Sequence, residues 1–387
     1  MSGQEAEPTA ARAPGRSHSG PPHTRVGRRA TVLLSVVATG VLAGSLLNLV
    51  EVDRVVYVPG PVYDTLGEIN GTSVVSVDEQ LENFDTDGHL FFTTIRLRGG
   101  PGDPLSAWEW LRAELDGSAT VVPREDVFPD DVTADQVREQ NTELMLHSQD
   151  DAAVVALRAT GLEIEEQVVV AQVIVDAPAD GVLRVEDQIL RVAGQDVTDA
   201  EAVREQIQEV TPGTSVPMTL VRDGEEVTLE VPTVEDEETG RTIVGVYLAP
   251  VYDNPYEVTI DAGNVGGPSA GLMFSLAVYD EITPGAMTEG LSVAGTGTIT
   301  GNGDVGGIGG ITQKMYAARE ADAALFLAPA SNCTEVAGAE PDGLTVVPVA
   351  TFDEAVQTVE TLTADPDADP AELDLRTCAE VLAEGNG

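Results

Sequence analysis

The chain has 387 residues, enough for two or three domains that each bury their own core. Its 66 acidic residues against 20 basic ones leave a formal net charge of -46, which argues against nucleic acid or an anionic lipid surface as partner. Aromatic residues make up only 4% of the sequence, so the cores must be built from Val, Leu, Ile and Ala.

Residues 1–29 are rich in Gly, Pro, Ser and Arg, lack apolar periodicity, and read as a disordered tail. Arg25, Arg28 and Arg29 then abut Ala30 to Val50, an uncharged run of 21 residues, about the length of a bilayer-spanning helix. Basic residues before the run, with Glu51 and Asp53 after it, orient the N-terminus towards the cytoplasm. The run exceeds the apolar core of a usual cleaved signal peptide, the alternative, so a retained single-pass anchor at 30–50 is expected. Everything after residue 51 would then lie outside the cytoplasm.

Residues 51–164 read as a membrane-proximal β/α region. Alternating stretches at 55–58, 74–77 and 90–95 predict strands, and residues 105–115 and 133–160 predict helices, the second entering at Thr133. His89 and His147 fall here, and each reads as an ordinary surface or core histidine. Between 165 and 235 a β-branched run, Val168 to Val175, is followed by a turn at Asp176 to Gly181. A strand bearing Ile189, a helix from Asp199 to Val210 and a hairpin turning at Asp223-Gly224 complete the unit. This pattern, with Ala177-Pro178-Ala179-Asp180-Gly181 ahead of the strand, resembles a PDZ domain of the bacterial protease type. The Gly-Asp usual in that family appears here as Glu186-Asp187. Such domains bind extended peptides by adding them to a sheet edge, and the candidate edge is Val168 to Val175; a small β-rich spacer without a ligand is the alternative.

Thr233 to Gly240 is an acidic linker. Strands at 243–251 and 258–262 lead into the most informative stretch of the chain. Gly267-Pro268-Ser269-Ala270-Gly271 satisfies G-x-S-x-G between a strand and the apolar helical run Leu272 to Val278, the setting of a nucleophilic serine. The four histidines, His18, His23, His89 and His147, all precede Ser269, so an α/β-hydrolase order of triad residues fails and no local Ser-His-Asp triad can form. Lys314 is the only lysine in the protein; the other basic residues are arginines. It follows a glycine-rich run at the start of a predicted helix. An amine can lose its proton when buried, whereas a guanidinium cannot, so Lys314 is the candidate general base for Ser269.

Gly301 to Gly306 also matches G-x-G-x-x-G, but no acidic residue follows the next strand to hold a ribose. No P-loop occurs in these 387 residues, so ATP use is not expected, and neither is any other cofactor or metal. Cys333 and Cys378 show no metal-like spacing; an oxidising compartment would allow a disulfide between them, although the sequence does not place the thiols together.

Gly267 to Gly271, Gly295-Thr296-Gly297-Thr298-Ile299 and Gly303 to Ala318, continuing through Phe326 to Pro329 and Asn332, together resemble the Lon protease domain over 243–362. With the anchor and the PDZ-like unit, the arrangement resembles membrane-anchored PDZ–Lon serine proteases that lack an ATPase module. The resemblance implies an α/β (α+β) multidomain fold, with an acidic tail after 362, and an endopeptidase active on flexible or unfolded extracytoplasmic or membrane-proximal proteins. It further implies Ser269 as nucleophile, Lys314 as base, Thr296 as a hydroxyl that holds the lysine, backbone amides near Ser269 as the oxyanion hole, and a homo-oligomer. A peptide-binding scaffold with an inactive protease domain, or a Ser-Lys amidase or esterase, are the alternatives.

Overall fold

The structure, a computed structural model, describes residues 28–129, 132–237, 239–365, 373 and 375–384. The tail expected over 1–29 therefore lies outside the described residues except for Arg28 and Arg29, as does much of the acidic tail after 362. Helix α1 (Arg28–Leu47) covers most of the expected anchor. Among the described residues no helix is long and apolar enough to cross a membrane. Helix α1 has 20 residues, with the side chains of 28–31 and 43 outside those described, so the anchor expected over 30–50 is not supported by the described residues.

The main elements then run in chain order as β1 (Arg54–Asp64), β2 (Val75–Val77), β3 (His89–Arg98), α2 (Ala107–Ala113), β4 (Thr120–Pro123) and α3 (Ala134–Ala159). Next come β5 (Glu165–Val173), β6 (Gln188–Val192), α4 (Ala200–Gln208), β7 (Ser215–Arg222), β8 (Glu225–Pro232) and β9 (Val246–Asp253). The chain continues through β10 (Val258–Ile260), α5 (Gly271–Ile282), β11 (Ser292–Gly295), β12 (Thr298–Ile299), β13 (Val305–Gly306), α6 (Ile311–Glu320) and β14 (Leu325–Pro329). It closes with α7 (Cys333–Val336), β15 (Thr345–Val349), α8 (Phe352–Thr363) and α9 (Cys378–Glu384).

The larger domain is built on a six-stranded sheet in the order β15-β14-β11-β3-β1-β4. Strands β15, β14, β11 and β3 are parallel, and β1 and β4 continue the sheet antiparallel. Leu325 and Leu327 of β14 face a core with Phe274 of α5 and Phe352 of α8. Phe326 and Ala328 face the opposite way, towards Ile311 and Met315 of α6. Strand β14 is thus apolar without alternation because helices cover both faces of the sheet. Residues 51–164, expected to form a region of their own, instead belong to this domain. Strand β3 pairs in parallel with β11, β2 pairs with β10, and α3 contributes Met145, Ala152 and Val155 to the core around α5. Period-two alternation identifies a strand but not its partner, which here lies some 200 residues away.

Helix α3 begins with the expected Thr133 cap: the Thr133 side chain accepts from the Gln136 amide while the Gln136 side chain accepts from the Thr133 amide. The helix leads into the smaller domain, an antiparallel sheet in the order β8-β7-β6-β5-β9 whose core, Val168, Ile189, Met218 and Leu220, packs with Val203 and Ile207 of α4. Two expectations change here. The Val168 to Val175 run is not a sheet edge, because β9 pairs along it from Val246 opposite Val173 to Asp253 opposite Glu165. The strand expected to lead into the larger domain therefore closes the smaller one, and the edge passes to β9, whose Pro250 has no N–H to offer. The Glu186 departure also has a backbone meaning. Glu186 sits at φ 72°, a left-handed conformation that glycine adopts without cost and a side chain does not. Its neighbour Asp187 is buried and takes two hydrogen bonds from Arg222, at 2.6 and 2.8 Å.

Candidate active site

Ser269 lies in the turn between β10 and α5, and that turn is held from two sides. From α3, the Asn141 carbonyl accepts the Gly267 N–H at 2.8 Å and the Ser148 hydroxyl donates to the Pro268 carbonyl at 2.9 Å. From the segment after β11, the Gly297 N–H and the Thr296 hydroxyl both donate to the Ser269 carbonyl, at 2.9 and 2.8 Å. Close approach makes Gly271 necessary: a Cβ there would lie 2.6 Å from Ser148 Oγ and 2.8 Å from an Ile299 methyl. The backbone is therefore fixed before any substrate arrives, which a nucleophile on a sharp strand-to-helix turn requires.

Lys314 reaches the same point from the other side. Gly310 caps α6 at φ 71°, and the Lys314 amide makes the first helical bond to the Gly310 carbonyl at 3.1 Å. The Gly306 to Gly310 loop ahead of the helix is clamped by Asn332, whose side chain accepts from the Ile308 N–H and donates to the Ile308 carbonyl, both at 2.9 Å. The lysine side chain is 2% exposed, and among the described residues no carboxylate pairs with it. Burial without a counter-charge disfavours the ammonium, and the pKa falls from the ordinary 10.5 to about 7.

The structure brings all three sequence-predicted residues together. Lys314 Nζ lies 2.7 Å from Ser269 Oγ and 2.8 Å from Thr296 Oγ1. The single hydroxyl proton of Thr296 is committed to the Ser269 carbonyl, which can only accept. Thr296 must therefore accept a hydrogen from Lys314. A neutral amine that donates there can turn its lone pair towards the Ser269 hydroxyl, so Thr296 sets the direction of the base as well as its position. Of the backbone amides, that of Gly267 is already engaged by Asn141 and is not free for an oxyanion, which leaves those nearer Ser269.

A groove of about 920 Å³ runs up to Gly266, lined by apolar Leu97, Phe128, Met145 and Ile260 with Asn141 and Asp261 among them. Asp261 lies on this groove and accepts from the Gly263 amide at 2.8 Å. Gly301 to Gly306 forms the turn of the antiparallel β12–β13 hairpin, not a strand-to-helix phosphate loop. Neither His89, paired with Asp64 at 2.7 Å, nor His147 approaches Ser269 by any hydrogen bond. Sequence reasoning missed Asn141 and Ser148, more than 100 residues before the serine. Their one signal was a shared helical face with Met145 at i, i+4 and i+7. Cys333 and Cys378 form a disulfide that ties α9 to α7.

Residues 255–361 match the family model for the Lon protease (S16) C-terminal proteolytic domain. The chain carries a Lon-type serine peptidase domain. Residues 135–233 match the family model for the PDZ domain, so a peptide-binding module accompanies the peptidase, and the domain content is that of a PDZ–Lon protease. The PDZ match starts within α3, the helix that also braces the serine turn. Among solved structures, the chain is similar to the PDZ domain of an SdrC-like protein from Listeria monocytogenes, at 21% identity over 21% of this chain and 86% of that one, with a TM-score of 0.20. It is similar to the corresponding domain from Listeria innocua at 21% identity over 21% of this chain and 92% of that one, with a TM-score of 0.20. A solution structure from Geobacillus thermodenitrificans matches at 26% identity over 21% of this chain and 94% of that one, with a TM-score of 0.19.

Proposed function

We propose that this serine peptidase is an ATP-independent endopeptidase in which Ser269 is the nucleophile, Lys314 the general base and Thr296 the residue that orients the base. The observation that carries the reading is the buried, unpaired amine 2.7 Å from the serine hydroxyl. Neutral Lys314 takes the Ser269 proton as Oγ attacks the peptide carbonyl, and backbone amides beside Ser269 receive the developing oxyanion. The ammonium then protonates the leaving amine, which departs with the acyl group left on Ser269. In the second half, Lys314 takes a proton from water as the hydroxide portion attacks the ester, and returns it to Ser269 Oγ. The base must be unprotonated at the start, so activity should rise through about pH 7, where Lys314 titrates.

The substrates in this proposal are flexible or unfolded proteins, since the 387 residues contain no P-loop to drive unfolding. The smaller domain presents them along β9. Anchorage by α1, with the peptidase outside the cytoplasm, is supported by the uncharged run over 30–50, the basic residues before it and the Cys333–Cys378 disulfide. Assembly into a homo-oligomer belongs to the same proposal, and light scattering of the purified chain tests it.

The deciding experiment follows cleavage of an unfolded protein without ATP by the full chain and by Ser269→Ala and Lys314→Arg. Both variants should be inactive. Wild-type-like cleavage by both overturns the dyad. A wild type that binds peptide without cutting it makes the chain a scaffold, and one that cuts only small esters makes it an esterase.

A further inference from the structure

Both tryptophans of the chain, Trp108 and Trp110, lie in the short helix α2, and α2 is attached directly to the base of α1. The Ala107 N–H donates to the Val50 carbonyl at 2.7 Å, the Ser106 hydroxyl meets the Asn48 side chain at 3.3 Å, and Glu51-Val52 pairs with Leu105-Ser106. The inner side of α2 is occupied: Ala113 and Trp110 pack with Val56 and Leu105, and the Trp110 indole N–H donates to Glu114 at 3.0 Å. The outer side is not. Trp108 is 40% and Leu111 39% exposed, one turn apart in an apolar stripe on the same face of the helix, and Leu115, in the turn just past its end, is 81% exposed.

We infer that this stripe is a membrane-contacting surface, which seats α2 in the interfacial layer of the bilayer that α1 enters. The inference rests on the proposed anchorage. Three observations point to lipid as the occupant. Leu46, Leu49 and Val50, at the end of α1 to which α2 is bonded, are exposed apolar residues as well. Only two residues, Asn48 and Leu49, separate Leu47 from Val50, so Val50, to which α2 is bonded, lies within about 11 Å of the end of α1. Tryptophan at such a boundary matches the preference of its ring for the head-group level, where one end is apolar and the other wet. The net charge of -46 sets the chain against an anionic surface and the exposed groups of the stripe are apolar, so zwitterionic lipid should suffice and added salt should not release the contact. Seated this way, α2 would hold β1, and the sheet that carries the active site, at a fixed height over the membrane.

Because the chain has no other tryptophan, fluorescence excited selectively at tryptophan, away from the seven tyrosines, reads this helix alone. The full chain, reconstituted in phosphatidylcholine vesicles, is compared as Trp110→Phe, which leaves Trp108, and as Trp108→Phe, which leaves Trp110. Trp108 should emit at shorter wavelength than in water, lose about half its intensity to lipids brominated near the head-group end of the chains, and respond less to bromine at the bilayer centre. Trp110, turned inward, should be quenched less, and high salt should change neither. A chain that floats with the vesicles while Trp108 stays open to aqueous iodide and indifferent to brominated lipid overturns the inference and spares the anchor. Trp108 shielded from iodide but indifferent to brominated lipid would assign the stripe to a second copy of the chain and likewise overturn it. A chain that does not float overturns both readings.

Discussion

Replacing Lys314 with methionine should abolish activity and stabilise the protein, by an amount that depends on pH in a defined way. In the folded chain the amine titrates near pH 7, and in the unfolded chain near its ordinary 10.5. Between those values the unfolded state holds a proton that the folded state lacks, so wild-type stability rises with pH at about 1.4 kcal/mol per unit. Below pH 7 both states are protonated and the penalty levels off at about 5 kcal/mol; above 10.5 it vanishes. Methionine fills the same unbranched space without a charge, so the variant lacks this dependence. It also loses the hydrogen bonds to Ser269 and Thr296, which adds an offset that does not vary with pH over this range. Other titrating groups are common to both proteins and cancel. Denaturant unfolding of both at several pH values between 6 and 9.5 should give a stability difference that is steady up to about pH 7 and then shrinks by about 3 kcal/mol towards 9.5. A difference that stays constant from pH 7 to 9.5 would refute the neutral buried amine, and with it the proposed base.

Thr296→Val removes both the donor to the Ser269 carbonyl and the acceptor of the Lys314 hydrogen; kcat should fall about 10- to 100-fold with KM little changed. The pH of half-maximal activity should move down, because the ammonium loses more than the amine does. Glu186→Gly relieves a left-handed side-chain position and should raise the stability of the smaller domain by about 0.5 to 1 kcal/mol in denaturant titration. Cys378→Ser opens a loop closed over 45 residues of sequence. It should lower stability by up to about 4 kcal/mol, and reduction of the wild type should reproduce the loss without affecting the distance-dependent chemistry at Ser269.

Much of the site was legible in the sequence. The serine within its glycines, the absence of any later histidine and the solitary lysine pointed to Ser269 and Lys314, because an amine that burial can hold neutral can take the place of an imidazole. Helix α3 was legible from its entry at Thr133. Partnership was not. Alternation along β3 and β9 marked them as strands, yet whether each joined one sheet or the other depended on contacts with residues far away in sequence. As a result, residues 51–164 passed into the larger domain and β9 into the smaller one. The same limit hid Asn141 and Ser148, ordinary polar residues until α3 packs them against the serine turn. The neutrality of Lys314 is also a property of the assembled core. Sequence selected an amine, but only its burial among helices and sheet, with no ion pair to it among the described residues, removes the water that favours its charged form.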